Sequence, residues 1–216
     1  MAINLNKITL EKQGDSHKID LTKKGADTSK EININLNWAQ RKGLWASLTN
    51  STIDLDLGCW YELRDGSKSC IDGLQFAHGF GGSRTQVTRQ GCYTQKPWIW
   101  HSGDDRSGSA AEGENMLINP KGVGDLRRIT VYCFIYEGAT KWADTNAVVT
   151  IKVPDNPDIV VEMGKQNSEY KFCAIAEISF GTDDSMTVKK LVTFHNGHSE
   201  CDYAYKWGMQ WRAGSK

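Results

Sequence analysis

The stretch from Glu31 to Trp38 alternates apolar and polar residues without a break. Ile32, Ile34 and Leu36 fall on the same side as Trp38, because successive side chains of an extended chain point to opposite faces, and asparagines occupy the other side. This period of two predicts a strand with one face in a core and the other toward solvent. Such a strand needs partners, so the chain is expected to build sheets.

Further strands follow along the chain and predict an all-β fold. In the segment from Asp54 to Leu63 the apolar residues share one face, whereas Asp54 and Asp56 share the other. Residues 129–136 are nearly all apolar, as expected for a central strand covered on both sides. More strands are predicted at 147–153, 159–163, 170–180 and 186–194. Many short strands at this spacing indicate a two-sheet β-sandwich.

Helix is expected to be scarce in this chain. Short helical turns are predicted at 139–145 and at 200–207, the second with Ser199 as its N-cap and Gly208 at its end. The fold class is therefore all-β, with little helix.

The chain is expected to form a single domain over residues 1–216. Its 216 residues and 39% apolar content suffice for one substantial core. Residues 1–30 are predicted to be peripheral, with strands at 3–11 and 17–21 joined as a hairpin. Residues 72–97 are rich in glycine with little periodicity, which predicts a long loop.

Composition excludes several classes of function. Lys plus Arg equals Asp plus Glu, at 26 each, so no global field attracts nucleic acid or an anionic membrane. The sequence contains no apolar run long enough for direct membrane insertion, and its N-terminus does not look like a secretory signal. Six scattered cysteines without a C-x-x-C pair predict reduced thiols. We therefore expect a soluble, intracellular protein.

The segment from His101 to Asn115 is the strongest candidate for a binding site. Its glycines let the backbone bend, while its carboxylates can supply the roughly six to eight oxygen ligands of a calcium ion. Asp54 and Asp56, two residues apart on one face of a strand, repel each other and need a cation, an arginine or water nearby. A solvated acidic turn is the alternative reading.

Two other features carry weaker alternatives. Trp98 and Trp100 are interpreted as core anchors in preference to a sugar-stacking platform. His195, His198 and Cys201 lack a fourth ligand in sequence, which argues against a zinc site. The chain also has no G-x-G-x-x-G fingerprint, P-loop or G-x-S-x-G elbow, so no nucleotide-dependent or esterase-like chemistry is indicated.

Several motifs together resemble one family. The sequence His-Ser-Gly-Asp-Asp-Arg-Ser-Gly from His101 to Gly108, with the Asp-Leu-Asp-Leu strand at Asp54, resembles the tellurium-resistance stress proteins of the TerD type. Ile-Tyr-Glu-Gly from Ile135, Trp-Ala-Asp-Thr from Trp142 and the C-terminal sequence from Asp202 look more narrowly like the TerA branch. The likeness runs from about residue 31 to the C-terminus.

The resemblance implies a calcium-binding, non-enzymatic β-sandwich of the TerD type. It further implies a bacterial cytoplasmic protein that acts with other Ter-type stress proteins, with a membrane-associated complex reached through those partners. Position by position, it yields these metal-ligand candidates: Asp54, Asp56, Asp104, Asp105, Glu112, Glu114 and Asn115. The closing segment, residues 109–115, has fewer carboxylates than is usual for TerD-like chains, which leaves a second calcium site open.

Three functions compete at this stage. The first is a calcium-binding stress-response protein that presents a metal-dependent interaction surface. The second is an enzyme that detoxifies tellurite through thiols, against which the scattered, core-like cysteines argue. The third is a calcium-dependent carbohydrate-binding sandwich that uses Trp98 and Trp100.

Overall fold

A computed structural model of the chain describes residues 7–21, 30–38, 53–76, 82–104, 113–163 and 166–212. Within these ranges the chain forms two sheets, three short 3-10 turns and one α-helix. The predicted all-β sandwich with little helix is therefore confirmed.

The first sheet, sheet A, has seven strands in the described residues. All adjacent strands in it pair antiparallel except for one parallel pair at an edge. Its spatial order is β1 (Lys7–Thr9), β11 (Asp158–Glu162), β10 (Val148–Lys152), β3 (Ile32–Asn37), β8 (Glu114–Ile118), β7 (Ile99–His101) and β6 (Gly91–Cys92).

The second sheet, sheet B, has six antiparallel strands in the described residues. Its order is β2 (Ser16–Asp20), β13 (Ser185–His195), β12 (Phe172–Phe180), β9 (Leu126–Glu137), β4 (Asp54–Leu63) and β5 (Lys68–Asp72). The predicted central strand is confirmed, because β9 lies between β12 and β4 and is buried along most of its length.

Two hydrophobic clusters hold the fold together. The larger one lies between the sheets and takes the inward residues of both, among them Ile34, Leu55 and Leu57. The smaller one covers the outer face of sheet B and includes Trp60 and Trp207. The C-terminal helix α1 (His198–Tyr205) and the chain after it contribute to this second cluster, so sheet B is buried on both sides.

The predicted N-terminal hairpin is wrong. Strand β1 joins sheet A beside β11, whereas β2 joins sheet B beside β13. The turn between them, in which Gly14 has a φ of +89°, therefore carries the chain across an edge of the sandwich. Both strands do lie at sheet edges, where the sequence placed peripheral strands.

The C-terminal helix begins earlier than predicted. It spans His198–Tyr205 with Gly197 at the N-cap, so Ser199 is not the cap, and Lys206 ends it in a left-handed conformation with φ 55°. At 139–145 the structure has a 3-10 turn, Trp142–Asp144.

The glycine-rich region at 72–97 has local structure where it is described. A 3-10 turn, Gly73–Gln75, follows β5 at once, and the short strand β6 adds an edge to sheet A. Over the described part of the chain, no helix combines the length and apolar character needed to cross a membrane.

Candidate metal centre

Three carboxylates converge at the N-terminal end of β4. Asp54, Asp56 and Asp104 each place one oxygen within 4.8 Å of the others. Their exposed fractions are 1%, 0% and 4%, so the group is buried. Asp54 and Asp56 share the face of β4 that points away from the inter-sheet core, as the alternation predicts, because Leu55 and Leu57 lie in that core.

Asp104 reaches this position because the end of β4 is covered from sheet A. Strand β5 pairs with β4 from Gly58 to Glu62, so among the described residues no strand neighbours the backbone of Leu57 on that side. The Leu57 amide donates to Glu114 Oε2 at 2.7 Å, and His101 Nε2 lies 3.2 Å from the Leu57 carbonyl oxygen. These contacts fasten the end of β7 to β4, and Asp104 follows three residues later.

The hydrogen bonds of His101 define its tautomer. The Gly103 amide donates to His101 Nδ1 at 3.2 Å, so that nitrogen is the acceptor and Nε2 carries the proton given to the Leu57 carbonyl. His101 is fully buried, and its Nε2 also lies 3.7 Å from Glu114 Oε2. A neutral imidazole and one carboxylate thus replace a missing strand at this edge.

The remaining sequence candidates are placed differently. Glu114 is 1% exposed and points inward next to Leu57, where its Oε2 accepts the backbone bond. Asn115 follows it on β8 and therefore faces the other side of sheet A. Its Oδ1 accepts from Asn33 Nδ2 at 3.0 Å and from Asn35 Nδ2 at 3.1 Å. Asp105 and Glu112 lie outside the described residues.

The 3-10 turn Gly73–Gln75 closes the group from a further side. A side chain at position 73 would collide with Asp56 Oδ1, and the added Cβ would stand 3.2 Å from Asp56 Cγ. Glycine at this position therefore allows the turn to approach the carboxylate closely. The sequence did not single out Gly73, because nothing in its local pattern indicates which side chain it meets.

The electrostatic field around the three carboxylates is negative. Burial raises the pKa of the Cys133 thiol well above its ordinary value, and the charges of Glu114 and Asp56 raise it further. Buried carboxylates that repel one another favour a divalent cation with oxygen ligands, and calcium accepts such a shell in flexible geometry. The residues present thus fit a hard cation by the chemistry of their donors.

The two weaker alternatives, a sugar platform at Trp98 and Trp100 and a zinc site at His195, His198 and Cys201, are not seen in the described residues. Trp98 packs against Gly122 and its Nε1 donates to Asp125 Oδ2 at 2.8 Å, while Trp100 is 9% exposed. Both are anchors, as the sequence interpretation preferred. His195, His198 and Cys201 are not among the groups whose ligand atoms converge within the described ranges.

Comparison with known proteins supports the family that the sequence motifs resemble. No family model matches the chain. The tellurium resistance protein TerA of Alcaligenes sp is 35% identical over 219 residues, an alignment that covers 99% of this chain and 60% of that relative. The chain belongs to the tellurium-resistance family of TerD-like proteins. It spans about 60% of the length of this TerA relative, so it matches only part of that protein.

Two solved structures show the same fold at low sequence identity. The protein SAV2460, of unknown function, has a TM-score of 0.56 and 12% identity, and the match covers 84% of this chain and 98% of that one. A homologue of the telluride resistance protein TerD, SCO6318 from Streptomyces coelicolor A3(2), has a TM-score of 0.55 and 12% identity. That match covers 80% of this chain and 94% of the other.

Proposed function

We propose that this tellurium-resistance family member binds calcium at Asp54, Asp56 and Asp104 and acts as a metal-dependent interaction module, without a catalytic step of its own. The observation that carries the proposal is the convergence of three buried carboxylates within 4.8 Å of one another. The further candidates Asp105 and Glu112 lie outside the described residues, and their part in the shell stays a prediction.

Calcium suits this site better than magnesium. The three carboxylates come from strand β4 and from the chain that follows β7, so they belong to two different parts of the fold. Calcium tolerates irregular shells of about six to eight oxygens, whereas magnesium requires a near-octahedral shell and gives up water reluctantly. We therefore expect calcium to bind more tightly than magnesium.

The role in the cell follows from the family and is part of the proposal. We expect the chain to act in the cytoplasm with other Ter-type stress proteins, and to reach the inner membrane only through such partners. Calcium binding would neutralise the negative field beside β4 and hold Asp54, Asp56 and Asp104 together. A surface whose charge changes in this way can be recognised by a partner only when the cation is present.

The thiol-dependent alternative has less support. Cys59, Cys133 and Cys173 are fully buried, and burial raises the pKa of each thiol. Cys70 is half-buried, and burial together with the nearby charge of Asp72 raises its pKa to about 11. Few thiolates would form at neutral pH, and the thiolate is the reactive form.

A calcium titration followed by backbone amide shifts tests the proposal. Saturable shifts should appear at Leu55, Leu57, Gly73 and Gly103, which neighbour the three carboxylates, with smaller changes when magnesium replaces calcium. Asp155→Asn is a matched control, since it removes one charge from an exposed carboxylate that forms an ion pair with Lys30 at 3.8 Å, away from β4. If calcium shifts no resonance near β4, the proposed function is wrong.

A further inference from the structure

A second site lies on the other side of the 3-10 turn. A cleft of about 770 Å³ opens between the end of β5 and the beginning of α1, with the chain after the helix as its third wall. This volume falls within the range of small-molecule sites, roughly 300–1,000 Å³. Its lining includes Asp72, Gln75, His198 and Trp211, none of which belongs to the carboxylate group beside β4.

The floor of the cleft is a buried hydrogen-bond network around Asp72. This carboxylate is 3% exposed and accepts from the Tyr132 hydroxyl at 2.6 Å, His198 Nε2 at 2.7 Å and the Leu74 amide at 2.8 Å. Burial raises the pKa of Asp72, but the hydrogen bond and charge of His198, with the other donors, bring the pKa below its ordinary value. Asp72 is therefore ionised and fixes a proton on His198 Nε2.

The second ring nitrogen of His198, Nδ1, is available to a ligand in the cleft. Within the described part of the chain, no group hydrogen-bonds to His198 Nδ1, and the side chain is 18% exposed where it lines the cleft. With Nε2 engaged by Asp72, Nδ1 is the ring nitrogen left to hydrogen-bond a ligand group in the cleft. A carboxylate that orients an imidazole in this way is the arrangement by which proteins present a histidine nitrogen to a ligand.

Four aromatic rings hold His198 in place. Its ring centroid lies 4.6 Å from Phe172, 5.0 Å from Trp211, 5.2 Å from Phe134 and 5.5 Å from Tyr132. Trp211 is itself fixed, because its Nε1 donates to Asp202 Oδ2 at 2.6 Å. The imidazole ring of His198 and the indole wall of the cleft are thus preorganised.

The other walls restrict the class of ligand. Formal charges in the lining are those of Asp72, Glu200 and Arg212, so no positive excess attracts an anion. Glu200 also accepts from the Asn196 amide at 2.9 Å at the N-terminal end of α1, where it offsets the helix dipole. The lining combines apolar side chains such as Leu74, Met209 and Trp211 with the amides Gln75, Asn196 and Gln210, which can both donate and accept.

We propose that this cleft binds a neutral, polyhydroxylated ligand of the saccharide class, with a ligand hydroxyl hydrogen-bonded to His198 Nδ1 and an apolar face of the sugar ring against Trp211. Sugar hydroxyls both donate and accept, which matches the surrounding amides, and the indole supplies an amphipathic wall. This site differs from a carbohydrate site at Trp98 and Trp100, whose rings serve as anchors. It does not depend on calcium at Asp54, Asp56 and Asp104.

The test is a titration of the nitrogen-15-labelled chain, at fixed calcium, with glucose, N-acetylglucosamine and the β-1,4-linked disaccharide of each. At least one sugar should shift the His198 Nδ1 and Trp211 indole resonances saturably. His198→Gln keeps a donor for Asp72 but removes the ring nitrogen Nδ1, and Gln75→Ala shortens a side chain of the 3-10 turn that lines the cleft. Each should weaken that sugar's affinity at least tenfold in a chain whose amide spectrum remains folded.

Tyr203→Phe is the control, since Tyr203 is 87% exposed on α1 and does not line this cleft. It should leave the sugar affinity unchanged. The proposal is overturned if none of the four sugars shifts these resonances, or if Gln75→Ala and a folded His198→Gln both bind as wild type. Saturable shifts of the same resonances by inorganic phosphate, with none from sugars, would assign the cleft to an anion and overturn it as well.

Discussion

Gly73 lies directly against the carboxylate of Asp56, so closely that a Cβ at position 73 would collide with Oδ1. The 3-10 turn that begins at Gly73 also carries Leu74 and Gln75, which line the cleft beside α1. One short turn therefore separates the candidate metal centre from the second site. Its position makes Gly73 a sensitive point for testing the carboxylate geometry.

Gly73→Ala should reduce calcium binding without unfolding the protein. The added methyl group must displace the Asp56 side chain or the turn, so one carboxylate leaves its place in the proposed shell. The calcium-dependent rise in melting temperature should fall to less than half of the wild-type rise. Gly124→Ala is the matched control, because nothing lies within 4 Å of a Cβ built at Gly124. Equal calcium responses in both variants would contradict the account.

Glu114→Ala should destabilise the protein whether or not calcium is present. Removing the carboxylate leaves the buried Leu57 amide without its acceptor, and an unsatisfied buried donor costs about 1–3 kcal/mol. Glu114→Gln, which retains an acceptor oxygen, should lower the free energy of unfolding by less than Glu114→Ala does. Urea unfolding in a chelating buffer measures the difference. A loss of stability seen only in calcium would instead make Glu114 a metal ligand.

The pair Asp72 and His198 should make stability sensitive to acid. Because the folded-state pKa of Asp72 lies below its ordinary value, its contribution is present above about pH 4 and is lost as the pH falls through the folded pKa. The gap in unfolding free energy between wild type and Asp72→Asn should therefore narrow below about pH 4. A difference in unfolding free energy that stays constant from pH 6 to pH 3 would show that the hydrogen-bond donors do not stabilise the ionised Asp72 carboxylate.

The sequence predicted the sheets well because period-two alternation reports which face is buried. Strand β4 was predicted with its observed bounds, Asp54–Leu63, and with Asp54 and Asp56 on the face opposite Leu55 and Leu57. The pairing of β1 and β2 was not predictable in the same way. A turn such as that at Gly14 is compatible with a hairpin and with a crossing between sheets, and only the edges of the finished sheets decide between them.

Contacts between the two sheets could not be predicted from the sequence either. Glu114 and Asn115 looked equivalent as oxygen donors, yet neighbouring residues on β8 face opposite sides, so only Glu114 turns toward β4. The role of His101 beside Leu57 depends on where β5 ends relative to β4. The network of Asp72 and His198 joins residues 126 positions apart, and no local pattern signals such a pair.

The most direct test of the calcium proposal is the melting temperature of wild type, Asp104→Asn and Asp155→Asn, each with and without millimolar calcium. Binding only to the folded state adds about 2.7 kcal/mol at a hundredfold excess over Kd, which is visible as a shift of several degrees. Wild type and Asp155→Asn should both show this shift. Asp104→Asn should lose most of it while remaining folded without metal. An unmoved wild-type transition, or a full response from Asp104→Asn, would contradict calcium binding at Asp54, Asp56 and Asp104.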